Sequence, residues 1–310
     1  DLTIMEEGTE FIERLKSGKN LPIFTSCCPA WVNYVEQSHP EFIPNLSTCK
    51  SPQSMLSPVL KKLLPEYFEG YTRENIAVVS IMPCTAKKGE CKRDQLSTCG
   101  VPDTDYVLTT QELGRMIKEA GIDFKTLQPE AEDSPFGQYT GAGTIFGASG
   151  GVAEAAARTA YELVTGKTLT DVNLTPMRGT SNRSKSMELN LSGTKVVVRI
   201  VSTIVEAEKA LKEIKDGTAN FQMLEVMACP GGCVNGGGQP YSYNDTTIKI
   251  RRAEGLYKED KGLPFRKSHE NPDIKKLYAE FLKEPGSHKA HELLHTTYED
   301  LFKGSYRDLK

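Results

Sequence analysis

Five cysteines lie in three short motifs of a kind that can hold a metal centre. The motifs are Thr-Ser-Cys-Cys-Pro-Ala-Trp at 25–31, Met-Pro-Cys-Thr-Ala-Lys-Lys at 82–88 and Glu-Val-Met-Ala-Cys-Pro-Gly-Gly-Cys at 225–233. One cysteine from each of the first two motifs and two from the third match the ligand count of a four-iron cluster. These ligands are Cys28, Cys84, Cys229 and Cys233. Because they are far apart in the chain, we expect such a cluster to lie between lobes of the fold.

Three other interpretations of the cysteines remain open at this point. The third motif could be a tight turn with buried thiols, although glycines at 231 and 232 also allow the backbone to wrap a large inorganic body. Zinc competes for any site of four cysteines, but its ligands usually come as paired CxxC knuckles and two of these cysteines are solitary. A disulfide scaffold fits poorly, because eight cysteines in 310 residues are too sparse. Metal-bound cysteines in a reducing compartment are favoured, which predicts a cytoplasmic protein.

Composition limits the class of protein. The chain has 310 residues, of which 38% are hydrophobic, and this is enough for a sizeable core in a soluble protein. A net charge of −3 and a pI of about 6.1 give no sign of nucleic-acid binding. We expect no membrane span, because no run of about 18 apolar residues occurs. No signal peptide is recognised, although the chain begins at Asp1 without a methionine.

Strands and helices are predicted to alternate along the chain. Apolar runs predict strands at 21–24, 76–82, 106–109, 195–200 and 221–227. Amphipathic stretches predict helices at 3–17, 31–36, 52–64, 111–120, 152–164 and 204–215, and the chain from about 254 onwards is predicted to be helical and basic. This alternation predicts an α/β fold with largely parallel sheets flanked by helices. The near-continuous apolar run at 76–82 predicts a strand that is covered on both faces.

The cysteine motifs follow three of the predicted strands. Ligands of parallel sheets bind beyond the carboxyl ends of the strands, so we expect the three motifs to share one site. We predict a single catalytic domain of two lobes with the site in the crevice between them. The first lobe is predicted to comprise residues 1–100 and 235–310, and the second residues 101–234.

All three motifs resemble the cluster-binding motifs of the iron-only (FeFe) hydrogenases. The resemblance extends over nearly the whole chain, from Leu-Thr-Ile-Met-Glu-Glu at 2–7 to Arg-Lys-Ser-His-Glu-Asn-Pro at 266–272. It implies an H-cluster, which is a four-iron cubane joined to a two-iron subsite that carries CO, cyanide and a dithiolate bridge. The resemblance implies that Cys28, Cys84, Cys229 and Cys233 hold the cubane, and that Cys233 bridges to the two-iron subsite.

The resemblance also implies which side chains surround the cluster. Lys87 matches a lysine that donates to an iron-bound cyanide, and an ammonium beside an anionic ligand is physically sensible. Its alternative is a surface lysine beside Lys88. Met82 and Met227 would be soft, polarizable walls of the subsite, or simply core methionines. The other matching positions are Pro83, Phe146, Ser51 and Gln53.

A route for protons is implied in the same way. Cys27 matches the cysteine that exchanges protons with the bridge amine, and its alternative is a spare buried thiol. Glu7, Glu10 and Arg14 share one face of the first predicted helix, where a solvated charged stripe is the plain alternative. The family's relay would run from Cys27 to Glu7, through Ser47 to Glu10, and out by Arg14.

Electrons would have to come from a partner. The sequence has no ferredoxin-type CxxCxxCxxxC run, and Cys49, Cys91 and Cys99 are too few for a second cluster. We therefore expect a minimal form without accessory iron–sulfur domains, which receives electrons from ferredoxin or a partner subunit and its cluster from maturation enzymes. A basic tail could face an acidic donor, and it comprises Lys258, Lys261, Arg266 and Lys267. Family members usually carry one further β–α segment ahead of Leu2. The alternatives are a minimal form, a second chain that supplies this segment, or a truncated chain.

The predicted activity is the reversible reduction of protons to H₂ in an anaerobic setting. The alternative from another class is a non-catalytic protein that senses H₂ or carries an iron–sulfur cluster, but such relatives typically lack parts of the proton relay. A third possibility is a zinc protease, because His-Glu-Leu-Leu-His at 291–295 spells HExxH. No third zinc ligand is recognisable after it, so we interpret this segment as structural packing.

Overall fold

Helices and strands alternate along residues 1–302, which a computed structural model describes apart from the side chain of Cys99. The α-helices are α1 (Leu2–Ser17), α2 (Pro29–Ser38), α3 (Pro52–Tyr67), α4 (Lys87–Glu90), α5 (Thr110–Glu119), α6 (Gly141–Thr144), α7 (Gly151–Thr165), α8 (Ile204–Lys215), α9 (Thr247–Gly262), α10 (Pro272–Leu277) and α11 (His288–Leu294). The strands are β1 (Ile23–Phe24), β2 (Val79–Met82), β3 (Tyr106–Thr109), β4 (Ser184–Leu191), β5 (Thr194–Ser202) and β6 (Met223–Met227). The predicted α/β class is confirmed.

Short 3₁₀ helices and one π-helix complete the list. The 3₁₀ helices are Pro40–Asn45, Arg73–Asn75, Asp94–Leu96, Thr98–Gly100, Ile145–Gly147, Thr175–Met177, Cys233–Asn235 and Ser268–Glu270, and the π-helix is Tyr278–Leu282. No helix in residues 1–302 is both long enough and apolar enough to cross a membrane.

The larger sheet has four strands in the order β1-β6-β5-β4. Strands β1, β6 and β5 are parallel, whereas β4 pairs antiparallel with β5 as a hairpin. Its turn contains Ser192 and Gly193, both with a positive φ, which the hairpin requires. We did not predict β4 from the sequence, although apolar Met187, Leu189 and Leu191 alternate with polar residues as in a strand with one buried face.

Helices cover both faces of this larger sheet. On one face, Phe24 and Trp31 pack with Leu211, which joins β1 to helices α2 and α8. On the other face, Met223 of β6 packs with Phe11 of α1 and with the small residues of α7. All five residues of β6 are buried, which is the burial expected for the central strand of a parallel sheet.

The smaller sheet contains only the parallel strands β2 and β3. The prediction of a fully covered strand at 76–82 is wrong, because β2 begins at Val79 and exposes one face. Val79 is 49% exposed and Ile81 is 42% exposed. Two strands have no layer on that face in the described part of the chain, so β-branched residues there reflect strand propensity rather than burial.

Both sheets cross the predicted boundaries between the lobes. Strand β1, assigned to the first lobe, pairs with β6 of the second lobe. Strand β2 pairs with β3, on the other side of the boundary at residue 100. Parallel pairing joins segments that are distant in sequence, so a boundary drawn along the chain does not follow the sheets.

Candidate functional site

A cavity of about 420 Å³ lies where the carboxyl ends of β1, β2 and β6 converge. Each of these strands leads into one of the cysteine motifs. The cavity is lined by all four of the predicted ligands, Cys28, Cys84, Cys229 and Cys233, and also by Cys27. The prediction that the motifs share one location at the strand ends therefore agrees with the structure.

The pairing of β1 with β6 aligns the first and third motifs. Phe24 lies opposite Leu224 in parallel register, so the two chains leave the sheet at the same edge. The backbone N–H of Ala228 then points at Cys28 Sγ, 3.5 Å away. Backbone N–H groups directed at sulfur are typical of thiolate metal sites, where they stabilise the negative charge.

Glycines after the third motif allow close approach of the second. A Cβ on Gly236 would lie 2.0 Å from the carbonyl oxygen of Pro83, and one on Gly238 would lie 2.7 Å from the backbone nitrogen of Cys84. The N–H of Gly238 donates to the Pro83 carbonyl at 3.0 Å. Side chains at these glycines would push Cys84 away from the other cysteines.

The sulfur atoms are spread too widely for a single metal ion. A tetrahedral zinc site with bonds of about 2.3 Å places its sulfurs about 3.8 Å apart. No three of the four cysteine sulfurs, all in the described part of the chain, lie within 4.8 Å of one another. The four thiols nevertheless influence one another electrostatically. This spacing fits a polynuclear centre better than zinc.

Burial and crowding make these thiols hard to ionise by themselves. Burial raises the pKa of Cys28, Cys229 and Cys233, and the neighbouring cysteines raise it further. Four thiolates packed together need a cationic centre to neutralise their repulsion. The donor set is therefore chemically suited to an iron–sulfur cluster.

Lys87 lies at the cavity wall and is held by two acceptors. Its ammonium donates to the carbonyl oxygen of Cys27 at 3.1 Å and to Glu90 at 2.8 Å. An ammonium has three hydrogens, so one donor remains for a ligand in the cavity. The interpretation of Lys87 as a surface lysine is wrong, because it is only 6% exposed.

Glu90 is a residue that the sequence analysis missed. It accepts hydrogen bonds from Lys87, from Ser51 at 2.9 Å and from Gln53 at 3.2 Å. Its position three residues after Lys87 on α4 was the available signal. Ser51 was predicted to line the pocket, but it lies behind Lys87 and positions it through Glu90 instead.

The other predicted wall residues do line the cavity. Met82 and Pro83 come from the end of β2, Met227 from the end of β6, and Phe146 from the glycine-rich segment before α7. Gln53 also lines the cavity, near the start of α3. The wall is therefore largely apolar and polarizable.

Glu7 is a buried residue of α1 whose carboxyl group is close enough to Cys27 to influence its thiol. It is 2% exposed, and its Oε2 atom has no hydrogen-bond partner. Burial, and secondarily the Glu10 carboxylate, raise the pKa of Glu7 to about 8. The Glu7 carboxylate in turn raises the pKa of the Cys27 thiol, after the larger effect of desolvation. A carboxyl group with such a pKa can both accept and release a proton near neutral pH.

Ser47 lies next to both Glu7 and Glu10. Its hydroxyl donates to Glu10 Oε2 at 2.7 Å, and hydrogen bonding to Ser47 also lowers the pKa of Glu7 somewhat. Glu10 pairs with Arg14 at 2.6 Å, and Arg14 donates as well to backbone carbonyls that include that of Leu46 at 2.8 Å. Ser47, Glu10 and Arg14 therefore form a chain of hydrogen bonds rather than a solvated stripe, with the buried Glu7 next to it.

The outer end of this chain opens on a surface groove. Glu10 and Arg14 line a groove of about 470 Å³ together with Thr48, His291 and His295. The polar chain therefore extends from beside the cavity to solvent-accessible space. Hydrogen bonds join Ser47, Glu10 and Arg14, whereas the steps from Cys27 to Glu7 and from Glu7 to Ser47 stay predictions.

The HExxH segment is held in place by hydrogen bonds and a ring contact. His295 hydrogen-bonds to Thr48 at 2.7 Å and to Glu6 at 3.1 Å, and its ring lies 4.0 Å from that of His291. Glu292 is exposed and takes no part. Of the remaining cysteines, Cys49 and Cys91 are buried free thiols, and the side chain of Cys99 lies outside the described residues.

Comparison with protein families matches the chain to two family models. Residues 1–237 match "Iron only hydrogenase large subunit, C-terminal domain". Residues 246–301 match "Iron hydrogenase small subunit". Together they account for the three cysteine motifs and the helical tail.

Curated relatives fall into two groups. The chain is 46% identical over 304 residues to the NADP-reducing hydrogenase subunit HndD of Solidesulfovibrio fructosivorans, covering 96% of this chain and 52% of that protein. It is 42% identical to Iron hydrogenase 1 of Clostridium pasteurianum, with the same coverage of both chains. It is 31% identical to Protein NAR1 of Arabidopsis thaliana, covering 98% of this chain and 69% of that one. The chain thus spans about half the length of the first two relatives.

Solved structures resemble this chain over most of its length. A structure of HydA(deltaEFG), described as revealing stepwise H-cluster assembly in FeFe-hydrogenase, superposes with a TM-score of 0.84 at 40% identity. It covers 97% of this chain and 82% of that one. A variant of FeFe-hydrogenase HydA1 from Chlamydomonas reinhardtii gives the same TM-score at 39% identity.

Proposed function

Since the chain belongs to the iron-only hydrogenase family, we propose that it catalyses the reversible reduction of protons to H₂ (2H⁺ + 2e⁻ ⇌ H₂). The proposal rests on one observation, which is that a possible cluster site and a possible proton route lie side by side. A cavity lined by four cysteines adjoins a buried polar chain that leads from Cys27 to the surface groove. A protein that only held a cluster would need the cavity but not the polar chain.

The cofactor in this proposal is an H-cluster held by Cys28, Cys84, Cys229 and Cys233. The wide spacing of the sulfurs, the glycine backbone beside Cys84 and the apolar wall all fit a bulky iron–sulfur group. When bound, this group would supply the redox centre at which electrons and protons combine. The assignment of Cys233 as the bridge to a two-iron subsite rests on the family resemblance.

The protein's own side chains would place a positive charge beside the cofactor and exclude water from it. Lys87, fixed by Glu90 and the Cys27 carbonyl, offers its remaining hydrogen to an anionic ligand in the cavity. Met82, Met227 and Phe146 keep that side of the cavity apolar. A dry, low-dielectric wall strengthens every electrostatic contact that the lysine makes.

Proton movement would follow the polar chain. The Cys27 thiol exchanges its proton with Glu7, whose raised pKa suits both directions near neutral pH. The Ser47 hydroxyl, with a single hydrogen, can donate to one carboxylate while it accepts from the other. Arg14 holds Glu10 beside the groove, where the proton enters or leaves.

A second candidate function is a cluster-carrying role in iron–sulfur assembly. The similarity to Protein NAR1 and to proteins described as cytosolic Fe-S cluster assembly factors, at about 30% identity, favours it. The polar chain from Cys27 argues against it, because a carrier has no need to move protons. The H₂ sensor stays a further alternative of the same non-catalytic class.

Electrons would come from a separate iron–sulfur donor, either ferredoxin or a partner subunit. Of the predicted basic tail, Arg266 is engaged with Asp260 at 2.5 Å, and Lys267 with Glu162 at 2.8 Å. The buried ion pairs leave Lys258 and Lys261 on α9 as the exposed part of that tail. An acidic donor would therefore meet α9 rather than residues 266–267.

The compartment in this proposal is reducing, and the cytoplasm stays the prediction. The seven cysteines whose side chains are described are all free thiols. One relative, from Nitratidesulfovibrio vulgaris, is named as a periplasmic hydrogenase large subunit, so export also occurs within the family.

The test is H₂ evolution from a reduced viologen dye under strict anaerobiosis. The protein is first loaded with the four-iron cubane and a synthetic two-iron precursor, and both are verified by iron content. We expect rapid evolution that is lost in Cys27→Ala and retained in Cys91→Ser, a matched change at a buried thiol that belongs neither to the ligand set nor to the relay. No evolution despite complete loading would reject the proposal in favour of a carrier or sensor.

A further inference from the structure

A second group of metal-binding side chains lies away from the four-cysteine cavity. Glu10, Cys49 and His295 each direct one ligand atom to a common point, and these atoms all lie within 4.8 Å of one another. An isolated bridge between Cys49 and His295 joins their backbones, which keeps the thiol and the imidazole side by side. Glu10 reaches the pair from α1, on which the proposed relay lies.

The three side chains differ in burial in a way that leaves an entrance. Cys49 is 1% exposed, so the thiol forms the inner side of the group. Glu10 and His295 are half-buried and line the open groove of about 470 Å³. A small cation can therefore reach the group from solvent without opening the fold.

The electrostatic surroundings favour a cation beside the thiol. Cys49 Sγ lies 3.7 Å from Glu10 Oε2, so the thiol hydrogen occupies the place between sulfur and carboxylate. Burial raises the pKa of Cys49, and the carboxylates of Glu10, Glu7 and Glu6 raise it further. The same carboxylates that oppose a bare thiolate would stabilise a thiolate bound to a divalent cation.

The ligand types select the class of metal. Thiolate and imidazole with one carboxylate suit Zn²⁺ and related thiophilic cations, whereas Mg²⁺ and Ca²⁺ prefer oxygen ligands alone. Three protein ligands leave a fourth position for water in a tetrahedral zinc site. His295 contacts the Glu6 carboxylate through Nε2 at 3.1 Å, a pairing that orients metal-binding histidines. A cation at Nδ1 would replace the Thr48 hydroxyl, which lies 2.7 Å from that nitrogen.

We propose that Glu10, Cys49 and His295 form a binding site for a thiophilic divalent cation such as Zn²⁺, which blocks proton transfer when bound. Binding replaces the Cys49 thiol hydrogen by the metal, and the proton leaves to solvent through the groove. The Glu10 carboxylate then coordinates the cation, so it can no longer accept a proton from Ser47. The binding site stands on the geometry alone, whereas the block rests on the proposed function.

The other grouping of possible ligands in the described residues differs in kind. Glu162, His269 and Glu270 also lie within 4.8 Å of one another, but they include no sulfur. Lys267 pairs with both glutamates there, at 2.8 and 2.9 Å. That group is a salt-bridge network, and it provides an internal comparison for the cysteine-containing site.

The binding test uses the protein loaded with its iron cluster, so that the four cavity cysteines are occupied. Equilibrium dialysis against ZnCl₂ counts zinc beside iron, and crystals soaked in ZnCl₂ locate it by anomalous scattering at the zinc edge. We expect one zinc per chain at Cys49 in the wild type and in Cys91→Ser. Glu6→Gln should weaken binding about 10- to 100-fold, as loss of an orienting partner does, and Cys49→Ser by more than about 100-fold.

Different results overturn different halves of the proposal. The site would be overturned if the iron-loaded protein bound no zinc, or if Cys49→Ser bound zinc as tightly as the wild type. Zinc located at Cys49 without any fall in H₂ evolution would overturn the block and remove Glu10 from the proton route. If the loaded protein evolves no H₂ at all, the proposed function fails, while dialysis and anomalous scattering still decide whether the site exists.

Discussion

The two sheets supply cysteines to the same cavity from very different surroundings. Strand β6 of the four-stranded sheet is buried along its whole length, and β1 beside it has both residues fully buried. In the two-stranded sheet, Val79, Ile81 and Tyr106 are between 42% and 64% exposed. Three of the four cavity cysteines depend on the first sheet, and Cys84 depends on the second.

This difference indicates how the site is stabilised. A buried sheet keeps its strand ends in place through its own packing, whereas two strands alone are marginally stable. A cluster bound by both sheets would therefore add more order to the smaller sheet than to the larger one. The cavity has one side that is formed before binding and one side that binding would secure.

The largest expected effect comes from cutting the link between the sheets. Cys84→Ala removes the ligand that the smaller sheet supplies, so we expect loss of bound iron and of all H₂ evolution. Hydrogen exchange of β2 and β3 should also become as fast as in the metal-free protein, while β1 and β6 stay protected. Cys91→Ser is the control, and full iron content in Cys84→Ala would contradict the assignment.

The next effect concerns the proton route along α1. Glu7→Gln keeps the shape of the side chain but cannot carry a proton, so we expect kcat to fall by about 10²- to 10⁴-fold. Iron content should not change. Glu13→Gln, at an exposed position of the same helix, should leave kcat as it is. Equal rates in Glu7→Gln and wild type would remove Glu7 from the route.

Stability measurements compare the sheets directly. Phe24→Ala deletes a fully buried ring from the larger sheet and should lower the free energy of unfolding by about 3–5 kcal/mol. Ile81→Ala on the exposed face of the smaller sheet should change it by no more than about 0.5 kcal/mol. Denaturant unfolding of the metal-free protein measures both. Similar losses would mean that a further layer covers β2 in solution.

A change of pH tests the buried carboxyl of Glu7, which packs beside the larger sheet. Its pKa is about 8 in the folded chain and 4.5 for an ordinary glutamate, so the unfolded state loses this proton first as the pH rises. The wild type should therefore become less stable relative to Glu7→Gln between about pH 4.5 and pH 8. Unfolding free energies of both proteins at several pH values check this, and a difference that does not vary with pH would contradict the raised pKa.

Much of the fold followed from local patterns. The amphipathic pattern of α1 and the apolar runs of β1 and β6 predicted their positions, because period and burial agree in these elements. Prediction from apolar runs fails for strand β2. The same apolar sequence occurs whether the outer face of the strand is covered by another layer or exposed to solvent. The exposed faces of Val79 and Ile81 depend on how many strands the sheet acquires.

The residues of the candidate site also differ in whether they could be identified from the sequence. Cys28 and Cys84 were recognisable because each stands beside a proline in a short motif, and Lys87 was recognised through the family resemblance of the second motif. Glu90, by contrast, carries no signal beyond its spacing from Lys87, and its contacts with Ser51 and Gln53 exist only after α3 packs against α4. A residue that acts through a distant neighbour cannot be identified from its own surroundings in the chain.

The sequence by itself determined the ligand types, the strands that precede them and the shared face of Glu7, Glu10 and Arg14, because these depend on neighbours along the chain. Only the tertiary structure decided which segments meet. It set the spacing of the sulfurs, which distinguishes a cluster from zinc, and it brought Cys49 and His295 beside Glu10 across more than 200 residues. Such meetings depend on sheet pairing and packing, which no local pattern specifies.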